Sequence, residues 1–192
     1  MKWIIIVIIL FMGGYTYVTL KYRKPNKAYE PFNDLKERGQ THNLLTTGYQ
    51  RITLTADQPT HPPPIAQLTT VGAAPGGLPP TLRESLFDPP QLPETILKVE
   101  AAGETSALLA YPILFTCSLS HQRQQLSDAH LYLRQESIII VPEFAGLKGE
   151  LLARDLTQAV RLVIPGGALK PGRYQVVLAG AKSSLGWTLQ VH

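Results

Sequence analysis

The chain has 192 residues, a formal net charge of +4, a single cysteine and 16 prolines. One cysteine excludes an intrachain disulfide, and the length left after an anchor and a linker suits one folded domain. The charge does not mark a nucleic-acid binder. Residues 1–40 hold seven Lys/Arg against three Asp/Glu, whereas residues 41–192 hold eleven of each. The excess therefore lies at the N-terminus, where it suits anionic headgroups, and no run further on offers the basic, aromatic-interleaved face that nucleic acid requires.

From Trp3 to Leu20 there is no charged residue, and Lys21, Arg23, Lys24 and Lys27 follow at once. As a helix this run covers about 27 Å, close to the roughly 30 Å hydrocarbon core of a bilayer. A cleaved signal peptide would end in small residues, but the exit side carries Tyr15, Tyr17, Leu20 and Tyr22. A core helix would show one polar face, whereas Ile4 to Phe11 is apolar all round. Trp3, Tyr15, Tyr17 and Tyr22 stand where interfacial aromatics stand, with Lys21, Arg23 and Lys24 able to snorkel. Residues 1–22 are therefore expected to form a single-pass anchor whose partner is the lipid bilayer. Counted naively, the basic flank keeps the rest of the chain in the cytoplasm. The fold expected below favours the other side, a periplasmic domain held at a bacterial inner (plasma) membrane.

Residues 23–56 read as a basic juxtamembrane segment and a short helix. Asn33 is placed to cap a helix over Asp34 to about Leu45, with Asp34 and Glu37 in the first turn, where carboxylates suit the helix dipole. Tyr49, Ile52 and Leu54 follow as a short strand. Residues 57–94 then change character, since ten of the 37 residues from Asp57 to Pro93 are proline. Proline removes backbone donors and favours extended geometry, so this stretch is expected to be an extended linker without a packed core. It is either a passive spacer or an arm whose Leu78, Leu82, Leu86 and Phe87 lie along a neighbouring subunit.

Residues 95–192 show short β-like segments divided by turn residues, the spacing of a sandwich or barrel. Strands are expected at Ile96–Glu100, Ala107–Phe115 with a break near Pro112, Ala129–Leu133, Ser137–Val141, Glu150–Ala153, Ala159–Ile164, Tyr174–Ala179 and Trp187–Val191. Gly146 to Gly149 and Gly166-Gly167 read as hairpin turns. Period-two alternation is clearest in Val160, Leu162 and Ile164, in Tyr174, Val176 and Leu178, and in Trp187, Leu189 and Val191, which should face one core.

Leu169-Lys170-Pro171-Gly172-Arg173-Tyr174 leads into Gln175-Val176-Val177-Leu178. This resembles the L-x-P-G-x-Y-x-V turn and strand of bacterial immunoglobulin-like and fibronectin-like sandwich modules. The resemblance implies a mainly β fold: a C-terminal Ig-like antiparallel β-sandwich behind a transmembrane helix and a Pro-rich linker. It also implies a structural corner in which Pro171 presets the turn, Gly172 takes a dihedral that other residues avoid, and the Tyr174 hydroxyl finds a nearby backbone partner. The cysteine pair of antibody domains is missing, and such modules host many unrelated roles.

The histidines at 42, 61, 121, 130 and 192 form no H-x-x-x-H or H-E-x-x-H pattern, and no nucleophile stands with an evident base. Cys117 and His121 lie at C-x-x-x-H spacing with His130 on the next expected strand, a thiolate and imidazole set that copper or zinc accepts. The plainer reading is a buried Cys117 and two polar turn-edge histidines, so no metal, cofactor or catalytic residue is expected. The sequence as a whole points to a non-enzymatic protein, an accessory or assembly subunit that docks its β domain and arm onto other subunits of a membrane complex, a respiratory one being a candidate host. The alternative is a periplasmic metal- or ligand-binding module using the sandwich loops.

Overall fold

A computed structural model describes residues 2–22, 31–59, 69–147 and 155–192, with the side chains at 5–7, 9, 20, 22 and 31–34 outside the description. The chain divides into two compact units, Met1–Leu35 and Lys36–His192. The first contains helix α1 (Lys2–Tyr22). Among the described residues no helix is long and apolar enough to cross a membrane. Several of the side chains on which the anchor expectation rests, Ile5, Ile6, Val7, Ile9 and Leu20, lie outside the described residues. The membrane-spanning reading therefore stays an expectation from sequence.

Helix α2 (Pro31–Thr46) spans the division of the chain and ends in the second unit. Its expected cap, Asn33, lies outside the described side chains. The second unit is mainly β. Strands β1 (Gln50–Thr53), β2 (Thr55–Asp57) and β3 (Gly72–Pro75) precede the short helix α3 (Pro80–Ser85). Then come β4 (Thr95–Ala101), β5 (Glu104–Thr105), β6 (Tyr111–Ser118), β7 (Gln124–Arg134), β8 (Ser137–Gly146), β9 (Thr157–Ile164), β10 (Gly172–Leu178) and β11 (Ser183–Val191). The strand expected at Glu150–Ala153 lies outside the described residues.

These segments form one 11-stranded sheet in the order β1-β7-β8-β10-β11-β4-β6-β9-β2, with β3 and β5 added to β11. The two ends of that order are consecutive pieces of one chain. β1 pairs with β7, the Leu54 amide donates to the Ala129 carbonyl at 2.9 Å, and Thr55 then pairs with Val163 of β9. A strand that changes partners at a bend is how a sheet turns a corner, and Leu54, buried in the core, draws the two edges together. The expectation of an antiparallel sheet needs correction, because β8 and β10 run parallel from Ser137↔Gln175 to Ile140↔Leu178. No two-residue turn can join such a pair, so the chain leaves β8 for β9 before returning as β10.

The inner core gathers Val160, Leu162 and Ile164 with Tyr174, Val176 and Leu178 and with Trp187, Leu189 and Val191. It also takes Phe115, Ile138, Ile140 and Phe144. Period-two side chains on strands joined through their ladders must share a face, and burying each large one contributes about 1.5–3 kcal/mol. Two polar groups enter this core as a satisfied pair. The Trp187 indole donates to the Tyr111 hydroxyl at 3.2 Å, and that hydroxyl donates to the Ala102 carbonyl at 2.5 Å. Pro112 sits inside β6 rather than breaking it, opposite Val163 and one residue past the last β4 pairing at Ile113.

The proline-rich stretch departs from its expectation. In its described part, residues 57–59 and 69–94, β3 pairs with β11 and α3 buries Leu82 completely. Gly76 lies against the backbone of Lys182, where a Cβ would come within 2.2 Å of the carbonyl oxygen, so only glycine fits there. Leu82 and Leu86 join Leu44, Tyr49, Tyr132, Ile139, Val141 and Ala179 in a second core on the opposite face of β7 and β8. The leucines read as anchors on a neighbouring subunit thus bury themselves on the chain's own sheet. Proline fixes φ and removes donors, but it does not prevent interspersed leucines from packing, and Pro80 suits the first turn of α3.

Candidate functional site

The outer face of β1, β7 and β8 carries the chemistry. Inner and outer residues alternate along β7: Ala129 and Leu131 enter the inner core, while Tyr132 enters the second core and His130 lies on the same outer face. β1 brings Arg51 opposite Tyr132 and Thr53 opposite His130. β8 brings Val141 opposite His130 and Glu143 opposite Asp128. His130 is 8% exposed, and Arg51 Nη2 donates to its Nε2 at 2.7 Å. An arginine carries no acceptor, so the ring is neutral with its proton on Nδ1. Burial, helped by the Arg51 charge and opposed by Asp128, holds the His130 pKa down to about 4. Nδ1 is buried and has no hydrogen-bond partner among the described residues. The imidazole meets Tyr132 edge-on, with centroids 6.4 Å apart. Glu143 is pushed above its ordinary value, first by burial and then by Asp128.

Two open grooves flank this face. One, of about 440 Å³, lies between β1 and α2 and is lined by Glu37, Thr41, Leu44, Leu45, Tyr49, Gln50, Arg51 and Thr53. The other, of about 400 Å³, lies between the ends of α2 and α3 and presents Thr46, Thr47, Thr81 and Ser85 beside Arg134. Its hydroxyls already serve one another. Thr47 and Ser85 lie 2.9 Å apart, Ser85 donates to the Thr81 carbonyl at 2.7 Å, and the Tyr49 and Thr81 hydroxyls are 2.9 Å apart. The Arg134 guanidinium covers the Tyr49 ring 5.3 Å from its centroid. This second groove therefore fastens the two helices to the sheet.

The residues weighed from sequence are placed apart. Cys117 on β6 faces the inner core, fully buried, with its Sγ 3.7 Å from the Gln158 carbonyl and its thiol pushed up to about 12 by burial. His121 is exposed in the loop after β6, and His130 occupies the outer face of β7. A core-facing thiol and an outer-face imidazole share no site, and among the described residues no three His, Cys, Asp or Glu side chains are grouped to hold a metal. Among the anchor residues, Trp3, Tyr15 and Tyr17 are exposed on α1, with Lys21 Nζ 5.9 Å from the Tyr17 ring centroid. The Tyr22 side chain, Arg23 and Lys24 lie outside the described residues. At the corner Pro171 is exposed, Gly172 opens β10, and the buried Tyr174 donates its hydroxyl to the Lys170 carbonyl at 2.9 Å. Arg51 was not singled out by sequence. A lone arginine in a polar four-residue strand gives no signal until β1 is paired with β7. No known protein-family model, curated protein or solved structure matches this chain.

Proposed function

We propose that the chain is a non-catalytic, single-pass membrane protein that serves as an accessory or assembly subunit of a larger membrane complex. The observation that carries this reading is the surface of α1. Trp3 is 81% exposed, Leu10 70%, Phe11 75%, Met12 63% and Tyr15 69%. At 100° per residue these side chains spread over an arc of about 200° around the helix, and apolar surface of that extent needs an apolar surround. A bilayer supplies one, and the basic residues beyond Leu20 suit its headgroups. The second unit, read as a β-sandwich on the periplasmic side of a bacterial inner membrane, then meets the partner subunits. The absence of catalysis is supported by chemistry already spent on structure: the Cys117 thiol is core-buried, and His130 is occupied by Arg51.

Alkaline carbonate extraction of native membranes tests the anchoring on which this depends. The wild-type chain should stay with the membrane pellet. The double variant Leu10→Lys, Phe11→Lys should be released, since each lysine at mid-helix costs roughly 2.5–3.5 kcal/mol of insertion. Release of the wild-type chain by carbonate would remove the basis of the reading. Protease added to spheroplasts should reach the second unit, and full protection would reverse its side.

A further inference from the structure

Strand β1 stands at one end of the strand order, and among the described residues its only ladder partner is β7. The chain then turns at Leu54 to pair with β9, so among the described residues the second edge of Gln50–Thr53 carries no ladder. An unpaired edge is a template for another extended chain. Beside it lies the open groove of about 440 Å³, walled by Glu37, Thr41, Leu44 and Leu45 of α2. Those positions repeat at i, i+4, i+7 and i+8, one face of a helix. Leu45 is 64% exposed on that face.

The groove's lining holds one cation, Arg51 on β1, and one carboxylate, Glu37 on the α2 wall. One of the Arg51 nitrogens is held by the buried, neutral His130, which fixes the guanidinium without cancelling it. Among the described residues no carboxylate lies within ion-pair distance of Arg51. We propose that this groove takes an extended peptide segment of a partner protein as an added strand on β1, with an acidic side chain on Arg51 and an apolar one against Leu45. Main-chain bonds to an edge supply affinity in this mode, and alternate side chains supply selectivity. Four residues of strand span about 13 Å, room for a short segment only.

The inference deepens the docking reading above by naming its surface, yet selection on the purified chain succeeds or fails whether or not a membrane partner co-purifies. Full-length protein in detergent micelles is panned against a phage-displayed random heptapeptide library. Enriched peptides should alternate apolar and polar residues around an Asp or Glu, and should slow amide exchange at residues 50–53. Binding should fall at least about tenfold, about 1.4 kcal/mol, on Arg51→Glu. Because that variant disturbs His130 as well, Leu45→Ser, at an exposed position, provides a second reading and should also weaken binding while the thermal midpoint holds. No enrichment, or enrichment unaffected by both variants, would overturn the proposal. So would exchange protection at 50–53 from self-association without peptide, which would assign the edge to a second copy of the chain.

Discussion

The two faces of β7 and β8 are covered in opposite ways. The inner face is sealed by other strands of the same sheet, all following one alternation, and its polar groups are paired, as Tyr111 and Trp187 show. The outer face is covered by pieces brought from elsewhere in the chain, the end of α2 and the α3 stretch of the proline-rich arm. It retains a buried histidine with one nitrogen that has no partner among the described residues. Nearest-neighbour alternation thus builds the inner core, whereas the outer one depends on long-range docking of short segments. A face assembled in that way is where opening costs least.

The comparison breaks most visibly in the inner core. Phe144→Ala, at a fully buried site, should cost about 3–5 kcal/mol. Urea unfolding followed by Trp187 fluorescence and by far-ultraviolet dichroism should shift together. Leu82→Ala on the outer face should cost about 2–4 kcal/mol and act locally: exchange of the amides in 80–86 should speed up while β10 and β11 keep their protection. If both sets speed up equally, the two faces form one cooperative unit and the contrast is lost.

A smaller effect comes from pH. The His130 pKa falls from an ordinary 6.5 to about 4 on folding, so the unfolded chain binds a proton that the folded chain refuses. This contribution is fully present above pH 6.5, is lost as pH falls toward about 4, and amounts to at most about 3 kcal/mol. Glu143, shifted upward, titrates in the opposite sense at the acid end, so the slope is read as the difference from His130→Asn, which should flatten it. An identical slope in that variant would remove His130 from the account. Smallest is Tyr111→Phe, which deprives the buried Trp187 Nε1 of its acceptor and should cost about 1–2 kcal/mol by chemical denaturation.

Much of the inner face was legible in the sequence because its signal is local. The triplets at 160–164, 174–178 and 187–191 share one core as their alternation indicates, and the Tyr174 hydroxyl reaches a carbonyl four residues upstream. The outer face was not. Leu82 and Leu86 sit among prolines, and nothing local says that their apolar contacts are Tyr132 and Ile139. The parallel pairing of β8 with β10 and the partner change at Leu54 are likewise global facts, set by which edges remain open once the hairpins form. Arg51 and His130 are 79 positions apart in sequence, so the candidate site becomes readable only with the register of β1 on β7.

The central claim, that the β domain is held beside a membrane partner, is tested most directly by native mass spectrometry of the full chain released from its own membranes in mild detergent. The account predicts a stoichiometric complex with at least one other protein, and a clean monomer under those conditions would contradict it.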